Sequence, residues 1–89
     1  MKDPMKYRKK PVIVDAIQFD GTWHCMGHIA AVFEATDKIA SSRAGMSIKT
    51  RWGEMQAEPE DWVVKDTSGE LYAVKPILFE ELYELIVDD

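Results

Sequence analysis

The strongest constraint on the fold is a series of short β-forming runs cut apart by turn residues. VIVDAIQF (12–19), the two arms of MSIKTRWGEMQAE (46–58), WVVKD (62–66) and ELYAV (70–74) are rich in β-branched, aromatic and other apolar residues. Asp20-Gly21, Trp52-Gly53, Pro59 and DTSG (66–69) interrupt them. Runs this short, joined by turns this tight, pair antiparallel, because a parallel return needs a crossover of a dozen or more residues.

Two segments read as helix. Over 23–35, Cys25, Met26, Ile29, Val32 and Phe33 form one apolar stripe, with Thr22 placed to cap the N-terminus and Gly27 weakening the pattern. Residues 36–45 read as a polar connection. Pro76 stands where a first helical turn accepts proline, and Phe79, Leu82, Tyr83 and Ile86 form the stripe of a last helix over 76–87. The expectation is a small single α+β domain over residues 1–89, frayed over 1–6, with the order β-α-β-β-β-β-α. One mostly antiparallel sheet carries both helices on one face, and the last helix belongs to the core. Both faces of 12–19 are largely apolar, which places that strand centrally.

A chain of 89 residues builds a thin core, so a surface groove is easier to form than a deep cavity. The net charge of −5 disfavours direct binding of nucleic acid or an acidic membrane and favours a partner with a basic surface. The acids fall in two segments: Glu54, Glu58, Glu60 and Asp61, then Glu80, Glu81 and Glu84 with Asp88 and Asp89 at the end. A basic segment, Tyr7, Arg8, Lys9 and Lys10, lies near the start. A single cysteine, Cys25, permits no internal disulfide and suits a reducing cytosol. No run of 18 apolar residues is present, and the basic start is not followed by the apolar core of a signal peptide.

No catalytic set emerges. His24 and His28 are one helical turn apart, but no third metal ligand stands with them, so neither metal nor cofactor is expected. Cys25 sits on the apolar stripe as a structural thiol. Glu58, Glu60 and Asp61 read as solvated loop acids, without the differing surroundings that tune paired carboxyls. Asp15, between Ile13 and Ile17, is expected to be covered and paired with a cation, for which Lys65 and Lys75 are candidates, or with a backbone donor. At least two of Trp23, Trp52 and Trp62 are expected to pack in the core or a turn.

YRKKPVIVDAIQF (7–19) and PEDWVVKDTSGELYAVKPILFEELYE (59–84) resemble a family of small phage and prophage proteins. Its members open on a Tyr-Arg-Lys-Lys-Pro-Val strand. They later carry a Pro-Gly-Asp-Tyr/Trp segment, a Gly-Glu-x-Tyr strand and a Lys-Pro-x-x-Phe-Glu close. Glu60 stands where the family often has Gly, and Ala73-Val74 replaces its Pro-Cys. The resemblance implies a protein made in the cytoplasm of a bacterial host cell, with no catalytic residue to carry over. It suggests a non-enzymatic accessory that inhibits a host complex, such as a CRISPR-type defence effector, through an acidic surface. Two alternatives stay open: a small-ligand or nucleotide-binding sponge using Tyr7, Arg8, Lys9 and Lys10, and a structural or assembly accessory of the phage. A homodimer is compatible with each.

Overall fold

A computed structural model describes residues 4–6 and 12–86. The chain forms β1 (Asp15–Gln18), α1 (Trp23–Val32), β2 (Ile39–Ser42), β3 (Gly45–Thr50), β4 (Gly53–Ala57), β5 (Trp62–Lys65), β6 (Leu71–Val74) and α2 (Pro76–Leu82). The class is α+β, and every strand pair is antiparallel. The order has one strand more than expected. Residues 39–42, read from the sequence as part of a polar connection, pair with β3 so that Ile39 faces Ile48 and Ser41 faces Met46. Tertiary pairing makes this strand; its own residues lack a strong local pattern.

The strands form two sheets, not one, with orders β1-β5-β6 and β2-β3-β4. The central strand of the first is β5. The sequence placed 12–19 there, but the strand begins only at Asp15, and Val12 and Ile13 are exposed. Neighbours on both sides satisfy the backbone of β5, and its Val63 and Val64 are both fully buried.

Side chains alternate across a strand, so the register sorts the first sheet into two faces. Ile17, Val63, Leu71 and Ala73 share one face and join Phe19, Met46, Ile48 and Ala57 in the main core. Ile29 and Phe33 of α1 complete that core. Each fully buried side chain of this size contributes about 1.5–3 kcal/mol. Trp62, Val64, Tyr72 and Val74 share the opposite face.

Helix α1 is bounded by specific bonds. The Thr22 hydroxyl accepts from Cys25 N–H at 3.0 Å, as its cap position predicts. At the other end, Ala35 N–H donates to Ala30 O and Glu34 N–H to Ala31 O. This is a Schellman closure, with Glu34 left-handed at φ 53° where glycine is usual. Lys65 Nζ donates to Phe33 O at 3.3 Å, tying that end to the sheet.

Helix α2 differs most from expectation. It ends at Leu82 and has no buried residue; Leu82 and Ile86, expected to cover a sheet, are exposed. It attaches through aromatic rings instead, and it lies on the face of the first sheet opposite α1. Pro76 does occupy its first turn. No helix among the described residues is long and apolar enough to cross a membrane.

Candidate interaction surface

The turn Glu58-Pro59-Glu60-Asp61 joins the two sheets. Asp61 N–H donates to Glu58 O at 3.0 Å, and Glu60 has φ 81°. Proline at the second place and a positive φ at the third define a type II turn, whose third place favours glycine. The Asp61 carboxylate closes the turn a second time by accepting from Glu58 N–H at 2.9 Å. The turn is docked on the end of β1: Phe19 N–H donates to Asp61 O, Glu60 N–H to Phe19 O, and the Gln18 side chain to Glu60 O. A Cβ at Gly21 would come within 2.9 Å of Pro59, so the neighbouring chain must pass without a side chain.

Lys75, the residue before α2, donates to Asp61 Oδ2 at 3.0 Å and to Glu58 Oε2 at 3.2 Å. Asp61 first, then Glu58, raises the Lys75 ammonium above its ordinary value. This contact ties the turn 58–61 to the start of α2. Glu80 and Glu81 lie only ~8 Å along the helix axis from Lys75.

An aromatic ladder seats α2. Trp62 stacks on Phe79 with ring centroids 4.2 Å apart, and Phe79 on Tyr83 at 4.9 Å. The Tyr83 hydroxyl lies 3.3 Å from that of Tyr72 on β6. Burial first, then the Tyr83 contact, raises the Tyr72 phenol above its ordinary value. With the rings facing the sheet, Ile77, Leu78, Leu82, Leu85 and Ile86 are left in solvent with Glu80, Glu81 and Glu84 among them. Ile77 is 75% and Leu85 87% exposed.

The sequence-derived acids divide by role. Glu58, Glu60, Glu80, Glu81 and Glu84 are exposed, and Glu58 bonds to Lys75. Asp61 is not a surface acid: it is 3% exposed and holds the turn together. A carboxylate following a turn can be spent on the turn's own N–H groups, which composition does not reveal. Glu54 is exposed at the far end of β4, opposite Lys49 and about 13 Å along the strand from Glu58. Tyr7, Arg8, Lys9 and Lys10 lie outside the described residues, as do Asp88 and Asp89.

Asp15 corrects another expectation. It is exposed, and although it pairs with Lys65 across β1 and β5, the ammonium turns to Phe33 O while Lys75 serves Asp61. Asp15 ends an edge strand, where water solvates it. Trp23 and Trp52 are exposed, against the expectation that at least two tryptophans pack. His24 and His28 are exposed, and among the described residues no three His, Cys, Asp or Glu side chains gather as a metal site. Sequence reasoning missed the ladder and the apolar surface it leaves behind. The spacing of Phe79 and Tyr83 was the available signal, but it reads equally as a core stripe.

No protein-family model, curated protein or solved structure matches the chain.

Proposed function

We propose that this protein acts by binding, presenting residues 77–86 and the adjacent turn 58–61 to a partner with a basic surface. One observation carries the reading. Five large apolar side chains of 77–86 are exposed beside three glutamates, on a segment anchored by aromatic stacking. Apolar surface of this kind, rimmed by charge, is characteristic of interaction sites. The carboxylates steer a basic partner and exclude acidic ones, while the apolar residues supply contact area.

The resemblance to small phage proteins adds a setting. In this proposal the protein is a non-enzymatic phage accessory in the bacterial cytoplasm. It inhibits a host complex that handles nucleic acid, such as a CRISPR-type defence effector, by occupying its basic channel.

The test is affinity capture from host lysate with the wild-type chain and with a variant carrying Glu80→Lys, Glu81→Lys and Glu84→Lys. Asp61 is left intact because its reversal would break the turn. The reading expects a basic partner, released by salt and lost by the variant. A partner retained equally by the variant overturns it.

A further inference from the structure

We propose that the groove between the β3–β4 turn and the β5–β6 turn seats a lysine or arginine side chain of the protein's partner. The groove has a volume of about 590 Å³ and includes Trp52, Met55 and Tyr72 in its lining, with Arg51, Glu54 and Asp66 also on its walls. None of its lining residues belongs to 77–86, and the inference rests on the reading of a basic partner.

The groove is built rather than incidental. Trp52 is 89% exposed at the tip of the β3–β4 turn, yet its backbone is held. The Thr50 hydroxyl accepts from Trp52 N–H at 3.1 Å and donates to Gly53 O at 2.7 Å. Gly53, at φ 115°, takes the left-handed place that such a turn requires. Arg51 donates to Glu70 Oε1 through Nε at 3.2 Å and an Nη at 3.0 Å, clamping this turn to the start of β6. Met55 Sδ accepts from Ala73 N–H at 3.0 Å and so joins the adjacent edges of the two sheets. The large indole is thus presented without the ordering cost of a mobile loop.

Charge selects the occupant. Glu70 is matched by Arg51, which removes the one cation of the lining from play. Among the described residues, neither Glu54 nor Asp66 has a basic side chain within salt-bridge distance. The Ser68 hydroxyl and neighbouring backbone N–H groups hold the Asp66 carboxyl below its ordinary value, so it is charged at neutral pH. An indole face with carboxylates beside it attracts a guanidinium or ammonium. The same charges repel a nucleotide phosphate or a second copy of this acidic chain.

The experiment is an NMR titration of the full chain with a capped hexa-arginine peptide, following tryptophan indole N–H signals. The inference expects the Trp52 indole and Gly53 amide to shift, and expects Trp52→Ala, which leaves net charge unchanged, to weaken that binding about tenfold. Trp52→Tyr should retain most of it and controls for folding. The Glu80→Lys, Glu81→Lys, Glu84→Lys variant should still show the Trp52 shift, which separates this inference from the role given to 77–86. Equal affinity of wild type and Trp52→Ala overturns it. So do shifts confined to 77–86, a stronger response to a mononucleotide than to the peptide, or a Trp52-dependent dimer in sedimentation without peptide.

Discussion

Glu60 shows how much one backbone angle reveals. Its φ of 81° is the conformation that the third place of a type II turn imposes, and a side chain there is strained. Glu60→Gly keeps the backbone bonds to Phe19 and Gln18, and should raise stability by about 1 kcal/mol. An unchanged or lowered urea midpoint, at constant m value, would show that the strain is absent. Asp61 behaves oppositely. Asp61→Ala leaves Glu58 N–H without its acceptor and Lys75 without its nearer carboxylate, and should cost about 1–3 kcal/mol in chemical denaturation. Asp66 contributes to acid stability: hydrogen bonds, from Ser68 first, lower its carboxyl below the ordinary 3.8. Its contribution is therefore present above that value and fades as pH falls through the lower folded value. Asp66→Asn should flatten the acid limb of a stability profile below about pH 4, and an unaltered limb would contradict this.

At the level of elements, the two helices hold on by different means. Helix α1 buries Ile29, Ala30 and, just beyond its end, Phe33 against the main core, whereas α2 buries nothing fully and relies on stacked rings. Mutational costs should follow. Ile48→Ala in the core should cost about 2–5 kcal/mol. Phe79→Ala removes two stacked contacts at a partly buried site, and should cost about 1–3 kcal/mol while the remainder of the chain stays folded. Near-ultraviolet circular dichroism would register the lost Trp62 stacking. A Phe79→Ala chain that is globally unfolded would instead make α2 part of the core.

For the molecule as a whole, acidic charge and exposed apolar surface act against each other. With a net charge of −5 and a pI near 4.9, the glutamates among Ile77, Leu78, Leu82 and Leu85 oppose contact between copies at neutral pH. Sedimentation should show a monomer at pH 7 and low salt, and association as the pH approaches the pI. A stable dimer at pH 7 that does not respond to salt would mean that a different, uncharged surface mediates contact.

The class, the antiparallel pairing, the β3–β4 hairpin, the β5–β6 hairpin, the Thr22 cap and the start of α2 at Pro76 were legible in the sequence, because each depends on chemistry within a few residues: turn formers, β-branched runs, a capping hydroxyl and a fixed φ. Four matters were decided only by tertiary structure. They are the recruitment of 39–42 as a strand, the division into two sheets, the burial of Asp61 rather than Asp15, and the outward exposure of Leu82 and Ile86. Each depends on which partner reaches a group first across the fold. Lys75 lies 14 residues from Asp61 in the chain and 3.0 Å from it in space. The bond from Glu58 N–H is local, but the burial of Asp61 and its pairing with Lys75 depend on contacts that sequence neighbours do not make.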